Sequence, residues 1–101
     1  MTWRHRIDID LVALRHNIRV VRSLAAHQDV IAVVKADAYG LGIKQCAPIY
    51  DELGVSVLAV AAVSEAVRIR QLLPDQRILL LGSLLPHEYY EFMHARLEIW
   101  V

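Results

Sequence analysis

Short apolar runs that alternate with stripes at helical spacing constrain this chain more than any single residue does. Val30–Lys35, Val57–Ala61, Arg77–Leu81 and Leu97–Val101 are runs of five or six residues and read as strands. Between them Ile43, Ala47, Tyr50 and Leu53, then Ala66, Ile69 and Leu73, then Tyr89, Phe92 and Met93 recur at the spacing of one helix face. A leading unit comes first. Arg6–Asp10 alternates like a short half-exposed strand, and Leu11, Leu14, Ile18, Val21 and Ala25 make a helical stripe opposite a row of arginines, Arg15, Arg19 and Arg22. Apolar strands separated by helices need crossover connections, so the fold class is α/β with a parallel sheet.

Local punctuation agrees with this division. Asp10 is placed to cap the first helix and Ser64 the third. Gly54 suits the position just past the end of the second helix, and Pro74-Asp75 ends the third. Pro86 can occupy the first position of a fourth. Pro48 falls inside the second stripe, where it removes a backbone donor and should cost or kink the helix. Gly82-Ser83, just before the fourth helix, can be read as an anion-holding turn or as an ordinary βα connection.

A complete (β/α) barrel takes about 250 residues, so the 101 residues here hold less than half of one. A small doubly wound sheet is the competing architecture, but no Gly-x-Gly-x-x-Gly follows a strand, which counts against a dinucleotide site. The last residues, Leu97–Val101, lie within a strand pattern, an ending expected of a piece of a longer protein. Eleven basic and eleven acidic residues cancel, so nothing draws the chain to nucleic acid or an anionic membrane. No apolar run approaches the roughly 20 residues of a membrane span, and no secretory signal opens the chain. The lone Cys46 excludes an internal disulfide and reads as a small core residue; with these features it suits a cytoplasmic protein. Five histidines, at 5, 16, 27, 87 and 94, show no metal-ligand spacing.

Lys35 is the one residue that the pattern does not require. It stands at the end of an apolar strand where another aliphatic is expected, and Asp37, Tyr39, Gly40 and Gly42 gather behind it. In α/β proteins the carboxyl ends of the strands are where ligands bind. From position alone Lys35 can be one half of an ion pair, a phosphate-binding charge or a reactive amine. The full string, Ala32-Val-Val-Lys35-Ala-Asp-Ala-Tyr39-Gly-Leu-Gly42, resembles the pyridoxal-phosphate (PLP) signature of alanine racemases. Leu41 stands where that family commonly has a histidine. Trp3 and Ile7–Asp10 running into Leu14–Asn17, Leu58–Ala61 followed by Glu65, Ala66 and Arg68, and Ile78–Gly82 are similar to its first segments.

The resemblance implies that the chain is roughly the first half of a TIM-type (β/α)8 barrel, residues 1–101, with the other half and a β domain absent. It implies Lys35 as the amine that binds PLP covalently and exchanges the substrate's α-proton on one face. Tyr39 would hydrogen-bond the cofactor phosphate, and Val33 and Leu81 would line the pocket; each is equally well explained as barrel core. The substrate would be alanine, and the whole protein a homodimer that interconverts L- and D-alanine for cell-wall synthesis. A serine or broader amino-acid racemase, or another PLP enzyme of the same fold, is the nearest alternative. The opposite-face tyrosine, from a partner chain, and the arginine at the pyridine nitrogen would fall beyond these residues, so the chain is expected not to racemise alanine alone. A non-catalytic half-barrel that associates through its open edges and bare face is the rival of a different kind.

Overall fold

The computed structural model describes residues 6–100. The expectations placed on Trp3, His5 and Val101 lie outside the described residues. In chain order the elements are α1 (Leu11–Ala25), β1 (Ile31–Val33), a tight turn over Lys35–Tyr39, α2 (Ile43–Glu52), β2 (Val57–Val60), α3 (Val63–Leu72), β3 (Arg77–Leu80), a 3-10 turn (Pro86–Glu88), α4 (Tyr89–His94) and β4 (Glu98–Ile99).

All strand pairs are parallel, and the strands lie side by side in sequence order, β1-β2-β3-β4. The main core joins one sheet face, Val34, Leu58, Val60, Ile78 and Leu80, to helix residues Ile18, Ile43, Cys46, Ile49, Ala66 and Ile69. On the other face Val57, Ala59 and Leu79 form a separate small cluster with no helical residue in it. Helices on one face and sequential strand order define a barrel segment; a doubly wound sheet would carry helices on both faces and reverse its strand order. Four parallel strands in this arrangement make about half of an eight-stranded TIM-type barrel. Each large aliphatic wholly removed from water, such as Ile69, Ile78 or Leu80, contributes about 1.5–3 kcal/mol.

Several local expectations hold. The Asp10 carboxylate accepts the amides of Val12 (2.9 Å) and Ala13 (3.1 Å), capping α1, a contribution of about 1 kcal/mol. Gly54 follows α2 with φ +79°. Pro86 opens the 3-10 turn that leads into α4. Cys46 is fully buried. Pro48 does lie within α2, at its sixth residue, so the helix runs on past the missing donor.

Others are corrected. Residues 6–10 form no strand, because no neighbouring strand among the described residues supplies hydrogen bonds. The apolar strand holding Val33 is open to solvent on its helix-free side, where Ile31 and Val33 are each 39% exposed. On α1 only Ile18 is buried, while Leu11 and Val21 are exposed. β1 is an edge strand of the sheet among the described residues, with no strand paired on its free side. On α4 Phe92 meets the core, but Tyr89 and Met93 are exposed, because β4 beneath them is the opposite edge. Ser64 does not cap α3. Glu65 does so, its Oε1 accepting the amides of Ala61 (3.2 Å) and Ala62 (3.1 Å).

Candidate active site

The strand register fixes the layout of the helix-free face. Val33, Ala59 and Leu79 are direct partners in one row across β1, β2 and β3. Side chains alternate along a strand, so Leu81 stands one layer above Leu79 on the same face, at the carboxyl end. The ladder continues there, with the Leu81 amide donating to Val60 O at 2.7 Å and the Val34 amide to Ala59 O at 2.8 Å. Lys35 comes directly after Val34, at the carboxyl edge of β1. The four residues expected at a site are thus brought to one end of the sheet: Val33 and Leu81 on the concave face, 39% and 47% exposed, Lys35 at its rim and Tyr39 at the end of the turn, 63% exposed.

Lys35 is exposed and, among the described residues, has neither a hydrogen-bonded nor an ion-paired partner for its amine. The ion-pair explanation of this lysine therefore finds no partner here.

The backbone just after Lys35 is unusual. Ala36, Asp37 and Ala38 have φ/ψ of 53/49°, 55/47° and 58/45°, and Tyr39 has φ 55°, so four successive non-glycine residues make one left-handed helical turn. Each such residue lies about 1–2 kcal/mol above the right-handed basin. The conformation is held by hydrogen bonds from Ala38 N–H to Val34 O (2.9 Å), Gly40 N–H to Ala36 O (3.0 Å) and Gly42 N–H to Asp37 O (2.8 Å). The Asp37 carboxylate accepts the Ile43 amide at 2.9 Å, tying the turn to the start of α2. Small alanines limit the steric cost, and aspartate tolerates this region better than most residues.

Two residues not assigned a role from sequence stand behind the turn. Glu65 Oε2 accepts the Asp37 amide at 3.4 Å, and Arg68 Nη2 lies 3.8 Å from Asp37 Oδ1. The available signal was a glutamate three residues into a helix that comes after a strand, the position of a reverse capping carboxylate. Beneath the turn, burial pushes the Cys46 thiol pKa up, with the Asp37 charge a second cause. Burial likewise raises the Tyr50 phenol. At the far end of the concave face Arg77 and Glu98 pair at 3.0 and 2.8 Å, and the hydrogen bond from Arg77 holds the Glu98 carboxyl below its usual range.

Fold and site together define a parallel β/α barrel segment with a lysine amine, unpaired among the described residues, at the carboxyl rim of β1. A family profile described as "Alanine racemase, N-terminal domain" matches residues 9–101. The chain belongs to the alanine racemase family. It is 47% identical over 76 residues to the alanine racemase of Acidithiobacillus ferrooxidans, covering 75% of this chain and 21% of that protein. It is 40% identical over 85 residues to the serine/alanine racemase of Enterococcus gallinarum, covering 83% of this chain and 12% of that one. Among solved structures, the alanine racemase of Streptomyces coelicolor A3(2) superposes with a TM-score of 0.83 at 38% identity, over 92% of this chain and 25% of that chain. That of Clostridium difficile 630 in complex with cycloserine gives 0.86 at 30% identity, over 92% and 26%. The chain spans 12–21% of the length of the two curated relatives above.

Proposed function

We propose that residues 1–101 are the amino-terminal part of a PLP-dependent alanine racemase, and that Lys35 is the amine that binds the cofactor. The observation that carries this is the gathering of Lys35, Tyr39, Val33 and Leu81 at one carboxyl end of the sheet.

The residues fit the group. An exposed amine without a competing carboxylate among the described residues is free to react with an aldehyde. Val33 and Leu81 present apolar surface at the same end of the sheet to exclude water from a bound ring, and the exposed Tyr39 hydroxyl can donate to a phosphate oxygen. PLP, when bound, supplies an electron-withdrawing ring that takes up the electron pair left at an amino acid's α-carbon. Lys35 Nζ then accepts or returns the α-proton on one face. Inversion needs a second proton carrier on the opposite face, and the reading assigns it to residues beyond this chain. The whole protein is read as a cytoplasmic homodimer acting on alanine, and the similarity to a serine/alanine racemase makes serine the substrate to test beside it.

The test uses the purified chain mixed with PLP, reduced with borohydride and mapped by peptide mass. Lys44, the other lysine and also exposed, is the internal control. One label per chain on Lys35, lost in Lys35→Ala, is expected. Equal labelling of both lysines, or of neither, refutes the reading for this chain.

The bare concave face favours one further reading. Ile31, Val33, Leu81 and Trp100 leave it apolar and exposed, so the chain in isolation associates with a second copy. Light scattering that returns a monomer at high concentration refutes this.

A further inference from the structure

Glu65 and Arg68 are three residues apart on α3, share one helix face, and both reach the same residue of the lysine turn. Glu65 Oε1 already serves the two amides at the start of α3, Ala61 at 3.2 Å and Ala62 at 3.1 Å. Its Oε2 adds nothing to that cap and instead takes the Asp37 amide at 3.4 Å. Arg68 lies 3.8 Å from the Asp37 carboxylate, whose Oδ1 also receives the Ile43 amide at 2.9 Å. Asp37 is therefore held by its own N–H from one side and by its carboxylate from the other. It sits in the middle of the left-handed turn, two residues after Lys35. A left-handed stretch of non-glycine residues persists only where its surroundings over-determine it.

We propose that Glu65, assisted by Arg68, is a positioning residue for Lys35: the clasp on Asp37 keeps the turn left-handed against the end of β2 and so fixes where the amine stands. This rests on the reading of Lys35 as the cofactor-binding amine. An exposed ion pair such as Arg68–Asp37 adds little to global stability, so the effect belongs to the turn and not to the fold.

Glu65→Gln separates the two jobs, since an amide keeps one acceptor oxygen for the cap and loses the second. On the full chain, amide exchange over residues 36–41, the urea midpoint and the Lys35-to-Lys44 pyridoxal labelling ratio across pH are measured together. The expected result is a urea midpoint near that of the unaltered chain, with exchange at the Asp37 amide faster by about tenfold, as for one lost charge-assisted hydrogen bond. The labelling ratio falls several-fold and its pH profile shifts. Turn amides that exchange at the unaltered rate, with an unchanged ratio, overturn the proposal. Should Glu65→Gln fail to fold, Arg68→Met carries the turn-exchange and labelling-ratio readouts with the same expected directions. If Lys35 in the unaltered chain shows no preference over Lys44, the cofactor reading fails, and the exchange measurement alone upholds or overturns the clasp.

Discussion

Gly82 approaches Ala61 so closely that a Cβ on it would lie 2.5 Å from the Ala61 carbonyl oxygen. The obstacle is backbone, not a side chain that can turn away. The carboxyl ends of β2 and β3 are close here, next to Leu81, whose amide donates to Val60 O at 2.7 Å.

Gly82→Ala is expected to cost about 1–3 kcal/mol, as an added methyl in a packed place does. Urea unfolding measures it. A midpoint equal to that of the unaltered chain would mean that the two strand ends are not in contact.

Ala36→Gly should act in the opposite direction. Ala36 is exposed and left-handed, so glycine removes steric strain without removing packing. The relief, about 1–2 kcal/mol, is set against glycine's entropic cost of about 0.5–1 kcal/mol, for a net gain of up to about 1.5 kcal/mol. Thermal and urea unfolding check the sign, and a loss of stability would show that the turn is right-handed in solution.

The Arg70 guanidinium meets five carbonyl oxygens at 2.6–3.3 Å: Nε donates to Ala95 O, Nη2 to Arg96 O, and the two hydrogens of Nη1 are shared among Leu73, Pro74 and Gln76 O. It ties the end of α3 to the loops before β3 and β4. Desolvation, then the nearby Arg96, lowers its pKa from a value so high that it stays charged. Lysine cannot reproduce a planar fork with five N–H donors. Arg70→Lys is expected to cost about 1–3 kcal/mol, read from the urea midpoint.

The buried thiol and the half-buried phenol should each lower stability at alkaline pH. The pKa values of Cys46 and Tyr50 are raised in the folded state above ordinary values of 9.0 and 10.0, burial being the main cause of both. A raised acid group binds more protons folded than unfolded, so its contribution is complete below the unfolded value and is lost as pH rises through the folded one. Stability should therefore be flat to about pH 8 and fall above about pH 9, with a shallower fall in Cys46→Ala. A thiol reagent should leave Cys46 unlabelled until urea unfolds the chain. Rapid labelling under native conditions would contradict its burial.

Much of the candidate site is legible in the sequence because it is local in the chain. The string from Ala32 to Gly42 holds Lys35 and Tyr39 within five residues, and the apolar run before it marks the strand end. The Ser64 cap was misplaced because a carboxylate one residue later reaches back to two amides, a competition between neighbours that spacing does not resolve. The exposed faces of α1 and α4 were misread for a different reason. Periodicity says which side of a helix is apolar, not whether anything covers it.

Strand and helix order, the Asp10 cap and the Ala32–Gly42 string that carries Lys35 come from residues within a few positions of one another, where spacing and capping chemistry decide the outcome. The left-handed turn and its tie to Glu65, 28 residues from Asp37, did not. Those depend on the parallel register that lays the end of β1 beside the end of β2, a contact between distant segments with no local signature.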